Sequence, residues 1–218
     1  MKSIFESLAP VSVLEIDGRY APIDLSVQNN ELSGKESAAE MEAYVKFHLL
    51  KHHAAVAWGG YGEKRNLYKR SELFEDEAQS RDTHLGIDLW APAGTPVLAA
   101  LDGTVHSFDY NAGLGNYGPT IILEHQLKGE TFYTLYGHLS VESIADLEIG
   151  DEFQAGDCLG ELGGASVNGN YAPHLHFQII RDLEDHFGDY PGVCASAVWP
   201  HYQENCPNPN LLLKIETS

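Results

Sequence analysis

From about residue 83 to 181 the chain is divided into short apolar and β-branched runs by glycine-containing turns. Runs of this length are typical of β-strands and are too short for ordinary helices. Lys128–Glu130 separates residues 120–125 from residues 131–136, which predicts a β-hairpin. Residues 174–180 alternate as one further strand. Many short strands at this spacing predict an all-β core, either sandwich-like or partly closed.

Two other turn signals predict pairing between strands that are neighbours in the sequence. Asp102–Gly103 is a strong hairpin signal between Val97–Ala100 and Thr104–Phe108. The two Gly-Asp pairs within residues 149–157 predict a second strand pair. We therefore interpret residues 81–183 as one β domain.

Residues 1–80 have a different texture and are interpreted as an N-terminal extension with a helix near residues 35–56. Ser33–Glu36 has the form of a capping box, and Gly59–Gly60 is a stop signal. Between them, apolar and histidine side chains recur at helical spacing, at Met41, Val45, His48, Leu49 and His52. Residues 184–218 contain four prolines and predict an extended tail that packs on the core.

The chain is strongly acidic, with 32 Asp and Glu residues against 13 Lys and Arg residues and a net charge of −19. Nucleic acids and anionic membrane surfaces select basic patches, so neither is an expected partner. Glu6 and Pro10 interrupt the apolar core that a signal peptide would need. No later run approaches the ~20 apolar residues of a membrane-spanning helix. The cysteines are scattered and odd in number, which favours reduced thiols, and we expect a cytoplasmic protein.

Three short motifs within the β region carry histidine and aspartate at spacings that suit a metal site. His174 and His176 share one face of the predicted strand, because side chains alternate along a strand. His84 and Asp88 also share a face if their stretch is extended, and His138 lies between the two motifs. These side chains supply enough ligands for one zinc ion and leave two imidazoles for acid–base work. Zinc with three protein ligands and an open fourth position is of the catalytic type.

Each motif alone has an ordinary structural explanation. A histidine pair in a strand is usually a partly buried structural pair, and an isolated His138 would be a satisfied loop residue. His48 and His52 have the spacing of a helical zinc-protease motif, but Leu49 stands where that motif requires its glutamate base. His125 ends an apolar run and is interpreted as structural. The three motifs together are much more specific than any one of them.

The motifs resemble those of the M23 family of zinc metallopeptidases, of the lysostaphin and LytM type. The resemblance rests on His84-x-x-x-Asp88, on Tyr-Gly-His138-Leu and on Pro-His174-x-His176-Phe, and it covers a little under half of the chain. It implies a mainly antiparallel β-sheet groove of the duplicated-hybrid-motif type. It also implies that His84, Asp88 and His176 bind one zinc ion (Zn2+). His138 and His174 are implied to be catalytic.

The flanking segments are similar to a narrower group of M23 domains, which occur fused between a phosphotransferase domain and a class III aminotransferase domain. This similarity rests on Tyr117–His125, on Gly188–Gly192 and on Pro207–Leu213. Proteins of that group lack export signals. They suggest a zinc amide hydrolase that acts in the cytosol on a substrate other than the cell wall.

The family resemblance implies a metalloendopeptidase that uses a metal-activated water on a peptide or peptidoglycan-fragment substrate. The alternatives are a non-catalytic peptide-binding module and the cytosolic amide hydrolase. Degenerate modules usually lose one or more of the five site residues, and all five are present here, which favours the enzyme. Two roles are open for the extension, which directly precedes the first ligand: a cover over the cleft, or a solvated surface as is usual for charge runs such as Glu72–Asp82.

Overall fold

The computed structural model describes residues 2–35, 37–65 and 81–216. Its helices are α1 (Lys2–Glu6), α2 (Ala38–His52), α3 (Trp199–Asn205) and α4 (Asn210–Leu213). Its strands are β1 (Tyr20–Pro22), β2 (Val56–Gly59), β3 (Arg81–His84), β4 (Ile87–Trp90), β5 (Pro96–Leu98), β6 (Gly103–Asn111), β7 (Gly118–Leu127), β8 (Glu130–Gly137), β9 (Glu152–Phe153), β10 (Cys158–Glu161), β11 (His174–Ile180) and β12 (Val193–Ala195). Within these described residues, none of the helices is long and apolar enough to cross a lipid bilayer.

Eight of the strands form one sheet in the order β1-β2-β4-β11-β8-β7-β6-β9. Neighbouring strands in this sheet are antiparallel, except that β1 and β2 run parallel. Two smaller ribbons pair β5 with β10 and β3 with β12. The prediction of a mainly β fold with a helix in the N-terminal part is confirmed.

β11 is the interior strand on which the two adjacent histidines lie. All seven of its residues are buried, and it pairs with β4 on one side and with β8 on the other. Leu175, Phe177 and Ile179 belong to the main apolar core, so His174 and His176 face the opposite side of the strand. Burial of each such apolar side chain contributes roughly 1.5–3 kcal/mol. A slip of one residue would turn both histidines into the core, so the apolar residues fix the register of the histidines.

The hairpin predicted at residues 128–130 is confirmed. Leu127 pairs with Glu130 across a two-residue turn, in which Lys128 and Gly129 have φ of 52° and 84°. Two consecutive positive φ values define a turn whose twist matches that of the flanking strands. Glycine relieves the strain at the second of these positions.

The hairpin predicted at Asp102–Gly103 is wrong, because β5 pairs with β10 whereas β6 pairs with β7 and β9. The backbone before this turn is bonded to distant partners. The Ala99 N–H donates to the carbonyl of Asp157, and the Ala100 N–H donates to Oη of Tyr136. These non-local bonds draw the segment away from β6, which a local turn signal does not reveal.

The strand pair predicted within residues 149–157 is also wrong. β9 joins the main sheet beside β6, whereas β10 pairs with β5 in a separate ribbon. The Asp157 carboxylate accepts a hydrogen bond from the Gln154 N–H and closes the turn between the two strands. The glycine and aspartate signals therefore mark real turns, but the strands on either side of them have other partners.

α2 lies within the predicted range of residues 35–56, but its N-terminal cap is one turn later than predicted. The Ser37 hydroxyl accepts from the Glu40 N–H, and the Glu40 carboxylate accepts from the Ser37 N–H, so these two residues form the capping box. Ser33 instead ends a 3-10 turn, and Glu36 lies outside the described residues. The capping-box prediction for Ser33 is therefore wrong.

The same helix ends earlier than the predicted stop at Gly59–Gly60. His53 is its C-cap, with a left-handed backbone, and the His53 N–H donates to the carbonyls of Leu49 and Leu50. The buried residues Val56 and Ala57 then begin β2, which pairs with β4. The chain thus changes from helix to strand before it reaches the glycines.

The tail from residue 184 is less extended than predicted. It contributes β12, which pairs with β3, and it then forms α3 and α4. Leu212 and Leu213 pack into the main apolar core, so the tail is anchored at its end. The three cysteines are free thiols: Cys158 is exposed, and Cys194 and Cys206 are buried.

Candidate metal centre

Three buried side chains each place one ligand atom around a common point. His84 Nε2 lies 2.9 Å from His176 Nδ1 and 3.2 Å from Asp88 Oδ1. His176 Nδ1 lies 3.1 Å from Asp88 Oδ1. Tetrahedral ligands with bonds of about 2.0–2.1 Å are about 3.3 Å apart, so the three atoms have nearly the spacing of one tetrahedral face. His84, Asp88 and His176 can therefore hold a metal ion.

Strand pairing explains how these distant residues meet. His176 in β11 is the cross-strand neighbour of Asp88 in β4, and His84 ends β3 just before β4 begins. The predicted single extended stretch from His84 to Asp88 is therefore two strands with a break at Leu85–Gly86. Gly86 is required at this break, because a Cβ atom there would lie 2.7 Å from the Cε1 and Nε2 atoms of His176.

The two histidines of this group are held by hydrogen bonds from their outer nitrogens. His84 Nδ1 donates to the carbonyl of Gly60 at 3.0 Å, and His176 Nε2 donates to Oε1 of Gln178 at 2.8 Å. Gln178 is itself fixed, because its Nε2 donates to the carbonyl of Pro191. These bonds occupy the outer nitrogens, so His84 Nε2 and His176 Nδ1 are the ring atoms left at the common point, as outer-sphere partners arrange in metal sites.

The electrostatic surroundings favour the metal-binding forms of His84 and Asp88. Burial lowers the pKa of His84 to about 4, against the opposing effect of Asp88 and with a contribution from the Arg65 cation. Burial alone would raise the pKa of Asp88, but His84 and Arg65 beside it hold that pKa well below its usual range. At neutral pH His84 is therefore neutral and Asp88 is ionised, and these are the forms that bind metals.

His138 and His174 stand beside this group, with 4.2 Å between their ring centroids. His138 Nδ1 donates to the carbonyl of Asn168 at 2.9 Å. His174 Nδ1 donates to the carbonyl of Ala172 at 2.8 Å. Each ring therefore presents an unprotonated Nε2, and that of His174 lies 3.9 Å from Asp88 Oδ1. Burial lowers the pKa of both imidazoles, which keeps them neutral and able to accept a proton.

His138 has a left-handed backbone, with φ of 65°. This conformation costs a non-glycine residue roughly 1–2 kcal/mol. Two backbone bonds maintain it, because the His138 N–H donates to the Tyr117 carbonyl and the His138 carbonyl accepts from the Gly163 N–H. Strain of this kind persists where the surroundings enforce it, and here it accompanies a side chain that lines the site cavity.

The five predicted site residues line one cavity of about 420 Å³, and none of them is more than 6% exposed. The structure thus brings all of them together. Trp90 stacks on His174 at 5.6 Å between ring centroids and forms part of an apolar wall. Leu25, Ala38 and Met41, from the N-terminal part of the chain, line the same cavity.

The predicted cover over the cleft falls partly on residues that the structure does not describe. Residues 66–80, which include most of the acidic run Glu72–Asp82, lie outside the described residues. A covering role for that run stays a prediction. The described part of the N-terminal region contributes walls of the cavity, not merely a solvated surface.

Sequence reasoning missed three residues of the site: Arg65, Tyr117 and Gln178. The Tyr117 ring lies 5.1 Å from that of His176 between centroids, and Arg65 donates from Nη1 to Asp88 Oδ2. Gln178 had a usable signal, because it continues the alternation of β11 on the face of His176. Arg65 and Tyr117 reach the site from segments between strands, and such segments have no strand or helix periodicity that would predict where a side chain points.

The competing histidines lie elsewhere. His48 and His52 stack on each other on α2 with 4.4 Å between ring centroids, and His48 Nε2 bonds the Pro22 carbonyl. His125 is buried in the sheet and its Nδ1 donates to the carbonyl of Asp102. These contacts agree with packing and structural roles.

The fold and the site place this chain in a general class: β-sheet proteins with a candidate metal site. The site consists of a buried His–Asp–His group and two further histidines on a mainly antiparallel sheet. Residues 82–187 match the model of Peptidase family M23, so the chain contains a domain of this metallopeptidase family. The matched range includes all five residues of the candidate site. The M23 resemblance drawn from the three motifs is confirmed, and the narrower resemblance to fused M23 domains stays a prediction.

The chain is similar to several named proteins. Peptidoglycan DD-endopeptidase ShyC of Vibrio cholerae is 37% identical over 98 residues, which are 44% of this chain and 20% of ShyC. DD-carboxypeptidase/endopeptidase Mpg of Neisseria meningitidis is 36% identical over 95 residues, which are 44% of this chain and 19% of Mpg. The catalytic domain of lysostaphin from Staphylococcus simulans is 26% identical with a TM-score of 0.43, over 67% of this chain and 91% of that domain. The chain therefore spans about a fifth of the length of these two curated relatives.

Proposed function

We propose that this protein is a zinc-dependent metallopeptidase that hydrolyses a peptide bond. In this proposal His84, Asp88 and His176 hold one zinc ion, and His138 and His174 handle protons and charge at the reacting bond. The supporting observation is that all five line one cavity, with three ligand atoms at near-tetrahedral spacing and two unprotonated Nε2 atoms beside them. Two imidazoles and one carboxylate are a ligand set that zinc takes in catalytic sites.

The chemistry is divided between the ion and the histidines. When bound, zinc supplies Lewis-acid chemistry, because it polarises a carbonyl group and lowers the pKa of a water molecule. The Nε2 atoms of His138 and His174 carry no proton, so either ring can accept one from the attacking water. A ring that has been protonated can then donate to the leaving amine or stabilise the developing oxyanion. The geometry is compatible with either division of these tasks.

Both working imidazoles are fixed before a substrate arrives. Their Nδ1 atoms are bonded to backbone carbonyls, and Trp90 stacks on the ring of His174. A base with a fixed tautomer and orientation needs little reorganisation during the reaction. This arrangement supports an enzyme over a module that only binds peptides.

We propose a peptide of the peptidoglycan type as the substrate, because ShyC and Mpg are named as a peptidoglycan DD-endopeptidase and a DD-carboxypeptidase/endopeptidase. The burial of the five site residues and the limited volume of their cavity support a small soluble fragment over an intact polymer. Cavities of about 300–1,000 Å³ commonly hold small molecules, and this one has about 420 Å³. The second candidate is a cytoplasmic zinc amide hydrolase that acts on a substrate other than the cell wall, and its support is the similarity of the flanking segments to fused M23 domains.

The test combines metal analysis with product identification. The purified protein is first analysed for bound metal. It is then incubated with soluble peptidoglycan fragments and a panel of small peptides, and the products are identified by mass spectrometry. We expect about one zinc ion per chain and products that together gain one water molecule. The His84→Ala variant is expected to lose both the ion and the cleavage.

Two results would change the proposal. A native protein that binds neither zinc nor nickel nor a related ion contradicts the metallopeptidase. If the protein binds zinc but cleaves no amide bond in the panel, peptidase activity on these substrates is excluded. In that case, retention of the same peptides by the zinc-loaded protein would assign it as a peptide-binding module.

A further inference from the structure

The turn at Gly60–Arg65, directly after β2, lies against the metal-binding group, although it precedes residue 82, where the family match begins. Gly59 at the end of β2 pairs with Asp88, so the chain enters this turn beside one of the three ligands. The carbonyl of Gly60 accepts from His84 Nδ1, and the guanidinium of Arg65 bonds Asp88 Oδ2. Two of the three candidate ligands are thus held by residues outside the family match.

Arg65 is a buried cation with several fixed contacts. It is 3% exposed, and its Nε donates to Glu63 Oε2. Glu63 is anchored in turn, because its Oε1 accepts from the Leu25 N–H at 3.0 Å. The guanidinium carbon also lies 5.6 Å from the centroid of the Trp90 ring. A chain of contacts therefore runs from the N-terminal region through Arg65 to Asp88.

Gly60 makes room for both outer contacts. It has a φ of 107°, a conformation that side chains rarely adopt. A Cβ atom at this position would lie 1.9 Å from Nη2 of Arg65 and 2.9 Å from Nδ1 of His84. Glycine is therefore needed here for the guanidinium and the imidazole to approach the backbone together.

We propose that the segment Gly60–Arg65 is part of the metal centre, with Arg65 as the positioning residue of Asp88. This inference rests on the proposed zinc site. A carboxylate can bind a metal through one oxygen or through both, and the Arg65 bond engages Asp88 Oδ2. Asp88 would then hold a zinc ion through Oδ1 alone, which would leave more of the ion's coordination sphere for water or substrate. The segment thereby contributes to metal affinity and to the coordination geometry.

The test measures the metal directly, in the whole 218-residue chain. Zinc affinity is determined by competition with a chelating indicator for the native protein and for the Arg65→Met and Arg65→Lys variants. Arg181→Met is the matched control, because Arg181 is an exposed arginine paired with Glu204 away from the site. Loss of an outer-sphere partner commonly weakens metal binding by about 10–100-fold, and we expect a loss in this range for Arg65→Met. We expect Arg65→Lys to recover part of it and Arg181→Met to match the native protein.

A second readout separates positioning from general stability. With Co²⁺ in place of zinc, the visible absorption bands report coordination number and geometry, and Arg65→Met is expected to change their intensity whereas Arg181→Met is not. If Arg65→Met does not fold, Glu63→Gln serves instead. This milder variant loosens the anchor of Arg65, and a smaller loss of zinc affinity is expected.

The outcomes distinguish this inference from the proposed function. Folded Arg65→Met protein that binds zinc as tightly as the native chain, or more tightly, with an unchanged Co²⁺ spectrum overturns the positioning role and leaves the zinc site intact. An equal loss of affinity in Arg181→Met also overturns it. A native chain that binds no zinc overturns the proposed function itself.

Discussion

At the scale of single residues, the position of one proton on each imidazole organises the site. His84, His138 and His174 each donate a hydrogen bond from Nδ1 to a backbone carbonyl. His176 instead donates from Nε2 to the side-chain oxygen of Gln178. The choice of nitrogen decides which atom faces the cavity. The sequence shows that these histidines share a region, but it does not show their tautomers. The partners of His84 and His138 are distant in the chain, and those of His174 and His176, two residues away, come within reach only through the folded backbone and side-chain conformation.

The two histidines proposed to handle protons can be separated by mutation from the three proposed ligands. We expect His138→Ala and His174→Ala to keep zinc and to lower kcat by about 10²–10⁴-fold, because a positioned acid or base contributes about that much. The measurements are bound metal and turnover on a substrate found in the peptide panel. Unchanged turnover in either zinc-loaded variant would show that its imidazole takes no part in proton transfer.

At the scale of elements, the sequence is informative wherever structure is local. The hairpin at residues 128–129 and the strand β11 were predictable, because turn chemistry and alternation act over a few residues. The partners of β5 and β9 were not, because their pairing depends on sheet neighbours far along the chain. The grouping of His84, Asp88 and His176 was predictable for another reason: their motifs are those of a family. Arg65 has no such motif and was missed.

The cap of α2 allows a direct comparison of two capping boxes, the predicted one and the observed one. Ser37→Ala removes the hydroxyl that accepts from the Glu40 N–H, and we expect a loss of about 1 kcal/mol in the free energy of unfolding. Ser33→Ala is the matched control and removes the hydroxyl of the predicted cap. Urea unfolding measures both variants. A larger loss for Ser33→Ala than for Ser37→Ala would contradict the observed cap.

At the scale of the whole molecule, the buried neutral histidines link folding to pH. Burial lowers the pKa of His84 to about 4, and it also lowers the pKa values of His138 and His174. A histidine in an unfolded chain has a pKa of about 6.5. Between these values the unfolded chain binds more protons than the folded chain. We therefore expect the free energy of unfolding of the metal-free protein to fall as the pH is lowered from about 6.5 toward about 4.

Urea unfolding in the presence of a chelator, at several pH values across this window, measures the effect. The stability that these three histidines contribute is fully present above the unfolded pKa and is lost progressively below it. A stability that rises or stays level as the pH is lowered from about 6.5 would contradict the neutral state of the three imidazoles. The cytoplasmic location expected from the sequence is a separate prediction that this measurement does not address.

The pairing of β2 with β4 has a practical consequence for anyone who trims this chain to its recognisable domain. β4 carries Asp88 and lies between β2 and β11, so both of its hydrogen-bonding edges are occupied. A fragment of residues 82–187 would lack β2 and would expose one edge of β4, and exposed strand edges promote aggregation and domain swapping. The fragment would also lack β12 and the core residues Leu212 and Leu213, so its insolubility would reflect missing neighbouring segments.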